Sequence, residues 1–201
     1  MLRIAVTGNI GSGKSVVCRV FQNLGIPVFY ADKEAKQLYN DPDVLQQMTD
    51  RFGEKILNNN KQLDTKALAA IIFNNREDLD FVNHIIHPRV FSLFEKWVEG
   101  LDSSIPYCIQ EAALTFESGS QHRFSKIIVV HAPEEILLQR TMKRDNTTLQ
   151  QARQRLSNQA GQQWKMDQAD FLIQNDGTTP ILPQILQIHN KLTTPSLPTN
   201  D

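Results

Sequence analysis

Short apolar, β-branched runs alternate along the chain with longer stretches whose apolar residues recur at helical spacing. The runs Arg3–Thr7, Val28–Tyr30, Tyr107–Gln110, Lys126–His131 and Asp170–Gln174 read as strands. Their alternation with helical segments predicts an α/β domain on a mostly parallel sheet. Val16, Val17, Val20, Phe21 and Leu24 share one helical face, which predicts a first helix from about Gly13 to Leu24, stopped by Gly25. Asp41-Pro42 reads as an N-cap followed by proline in the first turn, with Val44, Leu45, Met48 and Phe52 on one face. Asp64 is expected to cap a helix carrying Leu68, Ile71 and Ile72. Pro88 is expected to open another that buries Val90, Phe91, Phe94, Trp97 and Val98. A last amphipathic helix is expected near Ile181–Leu192, before a frayed tail, Thr193–Asp201.

The stretch between the second and third strands is far longer than a parallel crossover needs, so about 33–100 reads as a helical insertion. A second helical excursion, about 136–165, separates the fourth and fifth strands and carries Arg140, Lys143, Arg144, Arg153, Arg155 and Lys165. The core is left as about 1–32, 101–135 and 166–193. Hydrophobic residues make up 40% of the 201, enough for a real core, and 21 Lys+Arg against 22 Asp+Glu give a net charge of −1. That balance argues against a nucleic-acid partner, which asks for a basic footprint. It leaves room for a small anionic ligand. No apolar run approaches the ~18 residues of a membrane span, and Met1–Gly8 reaches a glycine before a leader's apolar region forms. Cys18 and Cys108 sit in apolar patterns with no Cys-x-x-Cys spacing, as expected of reduced, buried thiols in a cytoplasmic enzyme. A monomer or small homo-oligomer fits all of this.

Gly8-Asn9-Ile10-Gly11-Ser12-Gly13-Lys14-Ser15 matches G-x-x-x-x-G-K-[ST], with a strand before it and an amphipathic helix after it. Its glycines let successive N–H groups curl toward phosphate oxygens at a helix N-terminus. Gly8, Gly11, Ser12, Gly13, Lys14, Ser15 and the following Val16 are therefore expected to hold a nucleoside triphosphate. Lys14 would reach the β- and γ-phosphates, and the Ser15 hydroxyl would ligate Mg²⁺.

The loop does not name the reaction. A guanine-reading GTPase wants Asn-Lys-x-Asp after a late strand; Asn60-Lys61-Gln62-Leu63-Asp64 is one residue too long and lies in the insertion. A motor-type ATPase wants an acidic pair at a strand end, and Ile109-Gln110-Glu111 offers one carboxylate. An acceptor-binding insertion and a basic lid suit a small-molecule kinase. Asp32, just after the second strand, then has two readings: a group near the acceptor hydroxyl that takes its proton or holds Mg²⁺ through water, or an N-cap for a helix from Lys33. A kinase for another small hydroxyl acceptor and a nucleotide-binding regulatory module stand as rivals. His84 and His87 are three residues apart, but Pro88 biases its predecessor out of helix and no third ligand is near.

The ordered set of motifs resembles the dephospho-CoA kinases, the enzymes of the last step of coenzyme A synthesis. The resemblance runs over Thr7–Ser15, Leu24-Gly25 with Val28 and Ala31-Asp32, His87-Pro88 and Leu114-Thr115-Phe116-Glu117. It continues with Arg140, Arg144-Asp145, Arg155 and Gln159, and with Ala169-Asp170, Ile173, Asn175 and Gly177. Tyr30, Ala113 and Val16 depart from the family's usual residues. The resemblance implies ATP and dephospho-CoA as substrates, Mg²⁺, and phosphorylation of the ribose 3′-hydroxyl. It also implies a P-loop core with a five-stranded parallel sheet, a CoA-binding helical insertion and a lid, like the nucleoside-monophosphate kinases. Lys14, Asp32 and Arg140 are its implied catalytic residues. Arg144, Arg155 and Asn175 join the P-loop on the nucleotide. His87 is expected to place the substrate, and Glu117 either binds the acceptor or pairs with a lid or insertion arginine.

Overall fold

The computed structural model describes residues 1–72 and 75–194. Five parallel strands, β1 (Leu2–Thr7), β2 (Val28–Tyr30), β3 (Tyr107–Glu111), β4 (Lys126–His131) and β5 (Phe171–Gln174), form one sheet in the order β2-β3-β1-β4-β5. β1 lies at its centre, with Val6 opposite Glu111 on β3 and Thr7 opposite Val129 on β4. Helices cover both faces, which is why the strands are apolar runs rather than alternating ones. Ile4, Val6, Ile128 and Val130 point to one face, where Val17 and Phe21 of α1 (Lys14–Asn23) and Ile185 and Ile188 of α9 (Ile181–Thr193) are buried in the same cluster. Ala5, Ile127 and Val129 point to the other and meet Phe116, with Met166 at the edge.

The chain divides into two compact units, Met1–Tyr30 with Leu101–Asp201, and Ala31–Gly100. The first holds the sheet, α1 and α9. It also holds α6 (Glu134–Asp145), α7 (Leu149–Ser157) and α8 (Gln162–Asp167), the elements of the basic excursion. The second is helical: α2 (Ala31–Leu38), α3 (Pro42–Phe52), α4 (Thr65–Ile72) and α5 (Arg76–Glu99). Its local signals are as the sequence predicts. Asp41 accepts hydrogen bonds from the N–H groups of Asp43 and Val44, and Asp64 from those of Lys66 and Ala67.

Pro88 is the exception. It opens no helix; α5 runs through it for 24 residues. An internal proline removes one hydrogen bond and costs ~3 kcal/mol. Val82, Ile85, Ile86, Val90, Phe94 and Val98 are buried along this helix, each contributing roughly 1.5–3 kcal/mol, so burial outweighs the break. His84 and His87 therefore do lie on one continuous helix, with His84 Nδ1 2.7 Å from the Asp80 carbonyl oxygen. Among the described residues no group of three or more His, Cys, Asp or Glu is arranged to hold a metal, and no helix is long and apolar enough to cross a membrane. The expected fraying over 195–201 falls outside the described residues.

Candidate active site

β1 ends at the centre of the sheet; its crossover leads toward β2 on one side, whereas that of its neighbour β3 leads toward β4 on the other, and such a reversal is where open α/β sheets bind ligands. The loop Gly8–Gly13 fills this point. Ser12 N donates to the Asn9 carbonyl at 3.1 Å, and Lys14 Nζ, on a buried side chain, donates to the Gly8 carbonyl at 2.9 Å and the Asn9 carbonyl at 3.4 Å. Lys14 thus folds back over the loop it follows. Ser15 and Val16 are exposed in the first turn of α1, Val16 at 44%.

Two glycines of the loop are dictated by neighbours far away in sequence. Gly11 has φ +80, and a Cβ there would stand 2.4 Å from the Leu137 carbonyl oxygen of α6. Gly13, at φ 91 and ψ 23, is the N-cap of α1, and a Cβ on it would stand 2.1 Å from Asn175 Nδ2. That amide donates to the Ser12 carbonyl at 2.8 Å. Asn175 is itself held on both sides. Its N–H donates to the His131 carbonyl at 2.8 Å, and its carbonyl accepts from Arg140 Nη1 at 2.8 Å. The turn after it is closed by Asp176, which accepts from the N–H groups of Thr178 and Thr179 and whose carboxyl those two bonds hold far below the usual carboxylate range.

Glu111 is not among the site residues that the sequence predicts, yet the structure buries it beside the P-loop strand. It is the last residue of β3, 6% exposed, and lies opposite both Val6 and Tyr30. Its charge reaches the groups under the P-loop. Burial pushes the Cys18 thiol far up, Glu111 adds to that, and Lys14 opposes it. Tyr30 is raised by burial first, then by Cys18 and Glu111, and its hydroxyl donates to Gln22 Oε1 at 2.9 Å. The available signal was a carboxylate at the C-terminal end of a strand paired with β1.

The arginines of the excursion occupy two different places. Arg140 is tied to Asn175 as above. Arg144 and Arg155 share Asp145, with Arg144 Nε 2.7 Å from Oδ1 and Arg155 Nη1 2.7 Å from Oδ2. The Arg144 hydrogen bond leads in holding the Asp145 carboxyl below its ordinary range, and Arg155 adds to it. Lys143 and Arg153 are exposed. Glu117 pairs with a lysine, not with an arginine of the lid or insertion. Its Oε1 lies 2.7 Å from Nζ of the fully buried Lys165 and accepts from the Ala160 N–H at 2.9 Å. Asp170, another motif residue, supports the far end of the sheet by accepting from Lys126 Nζ and the Ile127 N–H, each at 2.8 Å.

In the helical unit, Asp32 is exposed two residues beyond β2. The helix begins at Ala31, so Asp32 lies in its first turn rather than at the cap of a helix from Lys33. His87 is half-buried on α5; burial, and then the neighbouring His84, lower its pKa.

The dephospho-CoA kinase family model matches residues 2–180. A dephospho-CoA kinase of Bacteroides fragilis is 36% identical over 192 residues, covering 93% of this chain and 91% of that protein. A crystal structure from Thermus thermophilus superposes with a TM-score of 0.86 at 28% identity, covering 96% of this chain and 98% of that one. The dephospho-CoA kinase of Campylobacter jejuni does so with 0.68 at 30% identity, covering 94% and 96%. With a P-loop braced by Asn175 on a β2-β3-β1-β4-β5 sheet, and a family match that takes in every motif from Thr7 to Gly177, the chain belongs to the dephospho-CoA kinase family.

Proposed function

We propose that this enzyme transfers the γ-phosphoryl group of ATP to the ribose 3′-hydroxyl of dephospho-CoA. The hydroxyl oxygen bonds to the γ-phosphorus, the bond to the β–γ bridging oxygen breaks, and ADP leaves with that electron pair. Asp32 accepts the hydroxyl proton or aligns the hydroxyl for attack. Gly8, Gly11, Ser12, Gly13 and Val16 shape the cradle, and the donors near the N-terminus of α1 face the phosphates. Lys14 leaves the Gly8 carbonyl for the β- and γ-phosphates. Arg155, supported by Arg144, meets charge that spreads over the γ-phosphoryl oxygens, a task that suits a planar guanidinium. Arg140 and Asn175 hold the nucleotide side of the loop, and His87 places the acceptor. Glu117, engaged by Lys165 and Ala160, serves as a support for the loop rather than as an acceptor ligand.

The donor set suits Mg²⁺. This ion takes few protein oxygens and completes its shell with phosphate and water. Ser15 offers a hydroxyl at the first turn of α1, Glu111 a buried carboxylate at a paired strand end, and the absence of a dense carboxylate cluster among the described residues is in keeping. Bound there, Mg²⁺ supplies neutralisation of phosphate charge. Cys18 and Cys108, both buried thiols, suit a reducing cytoplasm.

The observation that carries this reading is the P-loop bonded into one unit with Asn175, in a chain matched to the family from residue 2 to 180. The test is incubation with ATP, Mg²⁺ and dephospho-CoA, with the product's mass measured. A gain of one phosphoryl group with equimolar ADP is expected. ADP release that no acceptor stimulates, or faster transfer to an unrelated hydroxyl acceptor, refutes it.

A further inference from the structure

The segment between α7 and α8, residues 158–161, is bonded to the P-loop at two consecutive positions. Gln159 Oε1 accepts from the Ile10 N–H at 2.7 Å, and the Ala160 carbonyl accepts from Asn9 Nδ2 at 3.3 Å. Asn9 is 3% exposed. Neighbouring bonds on two residues of each strand of chain fix both the separation and the twist of the segment against the loop. The segment is anchored from behind as well. The Ala160 N–H donates to Glu117 Oε1 at 2.9 Å, and the same oxygen lies 2.7 Å from Lys165 Nζ in an ion pair without hydrogen-bond alignment. Lys165 has no exposed surface. A buried lysine beside a carboxylate is costly to bury and more costly to break, so the anchor is stiff.

Gln159 also lies four residues after Arg155, just beyond the last turn of α7. Its side chain therefore ties the P-loop directly to the end of the helix that carries Arg155. We infer that Gln159 is a positioning residue for phosphoryl transfer: it sets the distance from the P-loop to Arg155, with the Glu117–Lys165 pair as its fixed base. This rests on the phosphate role proposed for Arg155 above. A misplacement of about 1 Å in such a group costs on the order of a hundredfold in rate, and the geometry gives Gln159 control over a shift of that size. A side chain that merely glued α7 to the sheet would lower stability and leave the chemistry alone.

The experiment is a kinetic cycle of wild type, Gln159→Ala, Arg155→Ala and the double variant, with kcat, both KM values and Tm measured for each. Gln159→Ala is expected to lower kcat at least ~tenfold while KM for dephospho-CoA stays within about twofold. The double variant should fall within about threefold of Arg155→Ala, because the second change acts through the first. Gln159→Glu keeps the acceptor for the Ile10 N–H and should recover kcat to within about threefold of wild type, its added charge falling on KM for ATP. If Gln159→Ala does not fold, Gln159→Asn, one methylene too short to reach Ile10, takes its place in the cycle. Multiplicative losses in the double variant, a kcat of Gln159→Ala equal to wild type, or Gln159→Glu as slow as Gln159→Ala overturns the inference. Wild-type enzyme that transfers nothing to dephospho-CoA overturns the proposed function instead.

Discussion

Replacing Gly13 by alanine tests whether the P-loop is held in shape by Asn175. The new Cβ would enter a position with φ 91 and stand 2.1 Å from Asn175 Nδ2, which itself donates to the Ser12 carbonyl. The left-handed backbone costs an L-residue ~1–2 kcal/mol. Moving Asn175 aside forfeits its bond to Ser12, ~0.5–1.5 kcal/mol, and alanine returns ~0.4–1 kcal/mol by stiffening the unfolded chain. The net is a loss of about 2 kcal/mol, or about 4–8 °C in Tm for a chain of this size. In an Asn175→Ala background the collision is gone and only the backbone strain remains. Gly13→Ala should then cost about 1 kcal/mol less. Urea denaturation of the four proteins in the cycle measures that coupling. Equal costs of Gly13→Ala in both backgrounds would show that Asn175 does not constrain the loop.

Four further outcomes are expected. Lys14→Ala should lower kcat about a hundredfold or more, because the buried ammonium that folds over the loop is the group proposed to meet the transferring phosphates; near-wild-type turnover refutes the P-loop role. Asp32→Asn, exposed in the first turn of α2, should lower kcat ~10²–10⁴-fold while both KM values hold; a defect seen only in thermal unfolding returns Asp32 to a helix-stabilising role. Arg155→Lys and Arg140→Lys should each lower kcat at least ~tenfold, about 1.4 kcal/mol, and Lys143→Ala, exposed on α6, serves as the unaffected control. His87 is held neutral by burial, its folded pKa below the unfolded value near ~6.5. The stability this provides is complete above that value and is lost as pH falls through the lower folded pKa, so the urea midpoint should drop between pH 7.5 and 5.5 by more in wild type than in His87→Gln.

The fold was readable wherever the deciding interactions are local. β2 and β4 fall at Val28–Tyr30 and Lys126–His131 as the apolar runs predict, and the other strands differ by one residue at an end. Asp41 and Asp64 cap helices two and three residues away, well within reach of sequence patterns. Pro88 misled because a local backbone rule was set against the burial of a whole helix face, which only the packed unit reveals.

The site divides along the same line. Gly8–Ser15 is legible because one loop carries its own donors, its own lysine and its own hydroxyl. What holds that loop is a set of bonds between residues 35 to 163 positions apart: Arg140 to Asn175, Gln159 to Ile10, Asn9 to Ala160 and Asn175 to Ser12. Each pairs a side chain with a backbone group, and a backbone group has the same chemistry at every residue, so nothing in the partner's identity marks it in advance. The same reasoning explains the arginines. Arg140, Arg144 and Arg155 share a charge and a stretch of sequence, yet Arg140 rests on a neutral carbonyl while the other two share one carboxylate. A phosphate competing for Arg140 displaces a neutral acceptor. One competing for Arg155 must displace the charge of Asp145, and Arg144 stays behind to keep that charge paired. The resemblance gives Arg140 a catalytic task and places Arg144 and Arg155 on the nucleotide, and the resting partners separate the arginine bonded to Asn175 from the two that share Asp145.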